Sequence, residues 1–285
     1  MIKNLKNIIG INIFKRKLAK LINYKNYFWI KINPIKKFPA FAPGHSGQLS
    51  VLSEITFESI NNLLPLLNKF SEKQGKKLNA VTNIEELNNP KERENISNLK
   101  KLLNKYGSDK GNWHNYHLLY ANLLIRKESI TKILEIGLGT NNQDVIGNMG
   151  TDGVPGASLR AFKDFCPNAK IFGADIDKRI LFQESRIKTY YVDQTSSSSL
   201  NKLAKNIGRG FDLIIDDGLH APHANLEVLL FGTKLLKKGG WLVIEDIEKA
   251  SVPIWQLVIN ILNRKKFIPY IYRANYGYLF ALKKK

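Results

Sequence analysis

Short apolar runs alternate with amphipathic stretches along the chain from about Leu99 onward. The runs are four to six residues long, and such continuous apolar runs are typical of parallel strands buried on both faces. The stretches between them repeat apolar residues with helical spacing. The predicted strands are Lys132–Gly137, Lys170–Asp175, Lys188–Val192, Phe211–Asp216 and Gly240–Glu245, and the predicted helices lie near Ser158–Phe165, Lys178–Glu184, Ser199–Ile207 and Ala224–Leu236.

Two more β-rich runs, Phe267–Tyr272 and Tyr276–Leu282, follow with only a short turn between them. That spacing predicts a hairpin, which places one antiparallel strand near the C-terminus. The whole pattern predicts an α/β domain over residues 99–285. Its fold would be a Rossmann-like, doubly wound, seven-stranded sheet that is otherwise mostly parallel.

Residues 1–98 lack this alternation and are predicted to form a basic, mainly helical extension or accessory region. Residues 1–40 predict a basic helical segment, with apolar positions between Leu5 and Ile22 on one helical side, followed by an extended segment, Lys31–Phe38. Phe38–Gly47 is rich in proline and glycine and predicts a loop. Ser53–Ser71 predicts a helix that Pro65 interrupts or kinks.

Composition excludes several classes of protein. With 44% hydrophobic and 24% charged residues, the 285-residue chain has an ordinary globular composition. Cys166 is the single cysteine, so an intrachain disulfide framework is excluded and a reducing compartment is favoured. No apolar run approaches the ~20 residues that span a bilayer. We therefore expect a cytoplasmic protein. Its sequence leaves open whether it forms a homo-oligomer.

The net charge of +20 lies almost entirely at the two ends of the chain. Ten Lys/Arg residues precede the first acidic residue, Glu54, and eight follow the last, Glu248. Lysine-rich composition alone is one explanation. A second is attraction of the N-terminus to an anionic membrane, at its inner face. Nucleic acid is a third and weaker partner, because the nearly neutral middle of the chain lacks a basic track.

The first predicted strand of the α/β domain ends in a glycine turn. Gly137 and Gly139 allow the backbone to pass close to a bound molecule. A dinucleotide fingerprint would have a third glycine at residue 142, where this chain has Asn142. Glu135, just before the glycines, favours a ligand with an amino group and a positive centre over a phosphate.

Polar residues also end the next two strands. Asp175 is placed to accept both hydroxyls of a ribose, and Asp193 and Gln194 are placed to meet an adenine amino group. Each residue alone is equally well explained as a turn or capping residue. Together, in chain order, they favour an adenosine-type ligand.

Four carboxylates and one imidazole end two strands that this topology makes neighbours. They belong to Asp216, Asp217, His220, Glu245 and Asp246. Clustered carboxylates repel one another unless a cation or proton compensates them, and oxygen ligands suit Mg²⁺ or Mn²⁺. The alternative is that Glu245 and Asp246 cap a helix and that His220 is a solvated loop residue.

These residues and several further motifs resemble those of class I S-adenosylmethionine-dependent methyltransferases. The chain is most similar to the metal-dependent macrolide sugar O-methyltransferases of the mycinamicin and macrocin type. The resemblance covers Leu99–Leu282. Its motifs are ILEIGLGT, the downstream Asp175, SDKG (residues 108–111) followed by His114 and Tyr116, GASLR (residues 156–160), DDGLH (residues 216–220) and IEDI (residues 244–247).

The resemblance implies S-adenosyl-L-methionine as cofactor and Mg²⁺, or alternatively Mn²⁺, as metal ion. It implies that Asp217, Glu245 and Asp246 bind the metal and that His220 is the general base. Lys110 and His114 would lie near the cofactor or substrate. The residues expected to bind the cofactor are Glu135, Gly137, Gly139, Asp175, Asp193, Gln194, Asp216 and Lys110.

The leading hypothesis is therefore an Mg²⁺-dependent O-methyltransferase acting on a sugar hydroxyl. The substrate would be a glycan, a lipid-linked saccharide or a glycosylated natural product. One alternative is an RNA- or other nucleic-acid-directed methyltransferase or binding protein, which predicts steeply salt-dependent binding. A nicotinamide-dependent oxidoreductase is less favoured, because the third glycine is missing.

Overall fold

The computed structural model describes residues 58–59, 61–67, 69–70, 73 and 81–285. By its internal contacts the chain divides into two units, Met1–Lys76 and Lys77–Lys285. The described residues of the first unit are helical, in agreement with the helix predicted over Ser53–Ser71. The predictions for residues 1–40 and for the loop Phe38–Gly47 lie outside the described residues.

The second unit is built on a nine-stranded sheet in the order β1-β8-β9-β7-β6-β2-β3-β5-β4. β9 runs antiparallel to both of its neighbours, and the central strands are otherwise parallel to one another. The strands are β1 Val81–Asn83, β2 Lys132–Ile136, β3 Lys170–Asp175, β4 Gln183–Glu184, β5 Ile187–Tyr191, β6 Phe211–Asp216, β7 Leu236–Ile247, β8 Phe267–Arg273 and β9 Tyr278–Lys284.

Seven of these strands are the seven predicted from the apolar runs, so the mostly parallel sheet is confirmed. The two additional strands lie at the edges. β1 pairs in parallel with β8, and the two-residue β4 pairs with β5 in antiparallel fashion. Both are too short to produce an apolar run, which explains why the predicted strand count was too low.

Helices cover both faces of the sheet, as the doubly wound prediction requires. One buried cluster joins Leu99, Tyr120 and Phe162 to one face of the strands. A second joins Val228 and Trp255 to the other face. The helices are α1 Arg93–Tyr106, α2 His117–Leu123, α3 Ala157–Phe165, α4 Ser197–Ile207, α5 Pro222–Leu235 and α6 Val252–Ile261.

The helix predicted near Lys178–Glu184 is wrong. A single 3-10 turn, Lys178–Ile180, is followed by β4. Phe182 then folds back on β5, where the Thr189 hydroxyl accepts from its N–H and donates to its carbonyl at 2.6 Å each. The return to the sheet comes too soon for a second helical turn.

Residues 81–98 lie in the same unit as the sheet, and the predicted domain boundary between residues 98 and 99 stays a prediction. β1 extends the sheet beside β8, and α1 packs against α3. None of the helices in the described part of the chain has the length and apolar run that crossing a bilayer requires.

Candidate active site

A cavity of about 700 Å³ opens at the carboxyl edge of the sheet. It lies beyond the ends of β2, β3 and β6, where the winding reverses and where ligands bind in open α/β sheets. Eight of the predicted site residues line it. They are Gly137, Gly139, Asp175, Asp193, Gln194, Asp217, His220 and Asp246.

Gly137 brings the ends of β2 and β6 unusually close together. Its φ is +93°, in the region that favours glycine, and a Cβ there would overlap the Asp217 carbonyl oxygen. The requirement for glycine at this turn, inferred from the sequence, therefore has a structural cause. No other residue type permits the two turns to meet.

One side of the cavity, which we call the Asp175 wall, is made of Asp175, Asp177, Asp193 and Gln194. Asp175 accepts from the N–H groups of Leu138 at 2.7 Å and Asp177 at 2.8 Å. Burial raises the pKa of Asp175, and these backbone hydrogen bonds oppose that shift. The carboxylate is thus held in one orientation at the end of β3.

The rest of the Asp175 wall is also held by hydrogen bonds within the protein. Gln194 Oε1 accepts from the Leu219 N–H at 2.7 Å, and Gln194 Nε2 donates to Asp216 at 3.1 Å. Asp193 accepts from the N–H of Thr195 at 2.9 Å. Asp216 itself is fully buried behind the wall, and burial raises its pKa to about 6.

The opposite side, which we call the Asp217 wall, is made of Asp217, His220 and Asp246. His220 Nε2 lies 3.9 Å from Asp217 Oδ1 and 3.8 Å from Asp246 Oδ2. One ligand atom from each of the three residues lies within 4.8 Å of the others. The predicted convergence of the fourth and fifth strand ends therefore occurs for these three residues.

Backbone geometry directs two of these side chains into the cavity. His220 and Asp246 have φ values of +55° and +53°, a conformation that residues other than glycine seldom adopt. Asp246 lies where the β7–β9 register shifts, between Ile244 and Ile247. Such irregularities redirect a side chain, and here Asp246 faces the cavity while Glu245 is buried behind it.

A buried polar layer lies behind the Asp217 wall. Lys110 Nζ donates to Asp217 Oδ2 and to Glu245 Oε2 at 2.5 Å each, and lies 3.4 Å from Glu135 Oε1. Tyr120 donates to the other Glu245 oxygen. Glu245 was predicted to bind the metal and Lys110 and Glu135 the cofactor, but none of the three lines the cavity.

Electrostatics in this layer are dominated by one cation among three acids. Burial lowers the pKa of Lys110, but Asp217, Glu245 and Glu135 outweigh it and raise the pKa well above its usual range. Burial raises the pKa of Glu135 to about 7, although Lys110 opposes the shift. Lys110 is therefore a fixed positive charge that offsets the carboxylates around it.

The donor set of the Asp217 wall fits a hard divalent cation. Asp217 Oδ1 and Asp246 Oδ2 face His220 and accept no hydrogen bond from any residue that the structure describes. Carboxylate oxygens are ligands that Mg²⁺ and Mn²⁺ prefer, and two of them face each other here beside the imidazole. Glu245 fits less well as a direct ligand, because both of its oxygens already accept hydrogen bonds.

Two tyrosines contact the carboxylates of the site, although the sequence motifs gave neither of them a role. Tyr116 donates to Asp246 Oδ1 at 2.5 Å, and Tyr120 contacts Glu245. The i, i+4 spacing, which places both side chains on one face of a helix, was the available signal. His114 Nδ1 lies 3.7 Å from Asp246 Oδ1 and joins the same group.

Comparisons with known proteins agree with this geometry, although no family model matches the chain. The 8-demethyl-8-alpha-L-rhamnosyl tetracenomycin-C 2'-O-methyltransferase of Streptomyces olivaceus is 32% identical over 157 residues, covering 53% of this chain and 38% of that protein. Mycinamicin VI 2''-O-methyltransferase of Micromonospora griseorubida is 35% identical over 125 residues, covering 43% and 28%. The predicted similarity to the sugar O-methyltransferases is confirmed.

The match is partial, since the chain spans little more than a third of the first relative's length and less of the second's. Among solved structures, the MycE methyltransferase from the mycinamycin biosynthetic pathway, in complex with Mg and SAH, aligns with a TM-score of 0.54. That alignment covers 66% of this chain and 54% of MycE at 23% identity. The second unit therefore has the methyltransferase fold that the resemblance implied.

Proposed function

We propose that the chain is an S-adenosylmethionine-dependent, Mg²⁺-dependent O-methyltransferase that acts on a sugar hydroxyl. The observation that carries the proposal is the meeting of two different walls across one cavity. The Asp175 wall offers fixed acceptors to a nucleoside, and the Asp217 wall offers carboxylates and an imidazole within 4.8 Å. The fold and the names of the relatives support the same reaction.

S-adenosylmethionine would supply a sulfonium-bound methyl group, and Mg²⁺ would supply a Lewis acid for the acceptor oxygen. Asp217 and Asp246 would hold the metal ion through the oxygens that face His220. Gly137 and Gly139 would let the backbone approach the cofactor, and Asp175 would face its ribose. Asp193 and Gln194 would meet the adenine from the Asp175 wall, with Asp216 behind them. Glu135 and Lys110, predicted to bind the cofactor, would act from the buried layer behind the Asp217 wall.

His220 would remove the proton from the acceptor hydroxyl at Nε2, the atom that faces both carboxylates. A general base of this kind contributes typically 10²–10⁴-fold to the rate. Lys110 would keep Asp217 and Glu245 in place by offsetting their charge. Glu245, predicted to bind the metal directly, would then act by positioning Lys110 beside Asp217.

The acceptor class rests on the first relative, whose name describes 2'-O-methylation of a rhamnosyl tetracenomycin. We propose such a glycosylated molecule, or a glycan, as substrate here. The predicted contact of the basic N-terminus with an anionic membrane concerns residues outside the described part of the chain. That contact, the homo-oligomer and the cytoplasmic location stay predictions.

Calorimetric titration tests the cofactor. We expect S-adenosylhomocysteine to bind and NAD not to bind, because Asn142 stands where a dinucleotide site has glycine. The acceptor is tested by transfer of labelled methyl from S-adenosylmethionine to a panel of α-L-rhamnosides and to total RNA, with Mg²⁺ or with EDTA. Labelled rhamnoside only with Mg²⁺ supports the proposal, whereas labelled RNA or NAD binding contradicts it.

A further inference from the structure

Two loops at the carboxyl edge of the sheet bring together a pair of exposed aromatic rings that stack on each other. Trp113 lies between α1 and α2, and Tyr276 lies in the β8–β9 turn. Their ring centroids are 5.1 Å apart, with an interplanar angle of 15°. Trp113 is 60% exposed and Tyr276 55% exposed, so neither ring serves the core.

The two loops are joined by hydrogen bonds that fix the pair. Asn115 Nδ2 donates to Asn275 Oδ1, and Asn115 Oδ1 accepts from the Asn275 N–H, both at 3.2 Å. Asn275 Nδ2 also donates to the Trp113 carbonyl at 3.4 Å. Asn115 has a φ of +54°, so the first loop adopts a costly conformation to make these contacts.

The pair continues directly into the Asp217 wall. His114 meets Tyr276 edge-on, with centroids 6.1 Å apart, and stacks on Tyr116 at 4.9 Å. Tyr116 in turn donates to Asp246 Oδ1. His114 therefore contacts both the exposed pair and the Asp217 wall, since its Nδ1 lies 3.7 Å from Asp246 Oδ1.

We propose that Trp113 and Tyr276 form a platform for the pyranose ring of the acceptor, a proposal that rests on the sugar O-methyltransferase function above. An aromatic face attracts the polarised C–H groups on one side of a sugar ring, and burying such a face removes apolar surface from water. The hydroxyls at the rim of that sugar then extend toward His220 and Asp246. The cofactor occupies the Asp175 wall, so the two ligands do not compete.

Matched variants separate an aromatic platform from simple bulk. Trp113→Phe retains a ring face, whereas Trp113→Leu and Tyr276→Leu retain only apolar volume. Leu230→Ala, which trims an exposed side chain of α5, is the control. The measurement is saturation-transfer NMR of methyl α-L-rhamnopyranoside on the full chain with S-adenosylhomocysteine and Mg²⁺, together with KM and kcat for labelled methyl transfer.

We expect about tenfold weaker glycoside binding and a matching rise in KM for both leucine variants. Trp113→Phe and Leu230→Ala should stay close to the wild type, and kcat and S-adenosylhomocysteine affinity should change little. Wild-type affinity in the leucine variants, or no saturation transfer to the wild type, overturns the platform. A change of sedimentation mass in Trp113→Leu also overturns it, because the rings would then pack against a second copy.

Failure of the function itself has a different signature. If S-adenosylhomocysteine does not bind the wild type, the methyltransferase proposal fails together with the platform. If the cofactor analogue binds and rhamnoside is methylated at equal rates and KM by every variant, the platform alone fails.

Discussion

The two walls of the cavity treat their carboxylates in opposite ways. On the Asp175 wall, Asp175 and Asp193 accept hydrogen bonds from backbone N–H groups. On the Asp217 wall, the partners are a lysine and a tyrosine, and one oxygen each of Asp217 and Asp246 faces His220 without a hydrogen bond from the described residues. The first wall is therefore held by backbone amides, whereas the second presents one unbonded carboxylate oxygen of each aspartate toward His220.

This difference assigns a different task to each wall. Carboxylates fixed by amides present a constant shape and a constant set of acceptors, which suits recognition of a nucleoside. Carboxylates that remain unsatisfied close to one another are costly until a cation joins them. The strained φ values of His220 and Asp246 on the second wall agree with a site that is held ready for such a cation.

The largest effect is expected from His220→Ala, which removes the proton acceptor from the Asp217 wall and leaves the Asp175 wall intact. His220→Ala should lower methyl transfer about 10²–10⁴-fold, the range for loss of a general base. Affinity for S-adenosylhomocysteine should not change, because His220 is absent from the Asp175 wall. A timed assay of labelled methyl transfer measures the rate, and calorimetric titration measures the affinity for S-adenosylhomocysteine.

The control for that experiment is His223→Ala, which removes an exposed histidine of α5 three residues later in the chain. It should retain wild-type transfer. Equal rates in the wild type and His220→Ala would contradict the assignment of His220. Loss of cofactor binding in His220→Ala would contradict the separation of the two walls.

The second effect breaks the charge balance behind the Asp217 wall. Lys110→Met leaves the buried Glu245 and the half-buried Asp217 without their cation, which should lower the free energy of unfolding by about 3–5 kcal/mol. Urea denaturation measures this against Lys101→Met on the exposed side of α1. If the two variants are equally stable, Lys110 does not compensate the carboxylates.

The third effect disturbs the backbone contact between the two walls. Gly137→Ala combines a positive φ with overlap against the Asp217 carbonyl oxygen. Gly210→Ala, with a φ of +90° and open space around it, isolates the conformational cost, about 1–2 kcal/mol. Gly137→Ala should cost clearly more than Gly210→Ala in denaturation and should weaken cofactor binding, whereas equal costs would contradict the close approach.

The effect that is smallest at neutral pH concerns His117, which is buried and uncharged. Burial lowers the pKa of His117, the residue after Tyr116, to about 4. The folded protein therefore resists protonation that the unfolded chain accepts near pH 6.5, so stability is full above that pH and falls as the pH drops toward 4.

The expected loss over that interval is about 3 kcal/mol. His117→Leu removes the titrating group and should flatten this part of the stability profile, measured by denaturation at several pH values beside His223→Leu. An unchanged slope in His117→Leu would show that His117 is not the neutral buried group of the structure.

Much of the fold followed from the sequence because strands buried on both faces need apolar residues along their whole length. Ile133 and Leu134, for example, are consecutive residues that enter opposite cores, so both must be apolar. β1 and β4 escaped prediction because two or three residues form no pattern. The segment Lys178–Glu184 has helical composition, but the hydrogen bonds of Thr189 return it to the sheet.

The candidate site was predictable only in part. Strand ends on one edge of a parallel sheet converge, so the meeting of Asp217 and Asp246 followed from topology. Which of Glu245 and Asp246 faces the cavity depends on the irregular β7–β9 register, which the sequence does not reveal. Lys110 lies 107 positions from Asp217 along the chain, so no local pattern links them.

Paramagnetic relaxation by Mn²⁺ tests the central claim most directly, because it reports whether the Asp217 wall holds a cation beside a ligand on the Asp175 wall. We predict that one bound Mn²⁺ broadens the proton resonances of bound S-adenosylhomocysteine, and that the double variant Asp217→Asn, Asp246→Asn abolishes the broadening while the ligand still binds. Saturating S-adenosylhomocysteine whose resonances stay sharp with Mn²⁺ on the wild type would contradict the account.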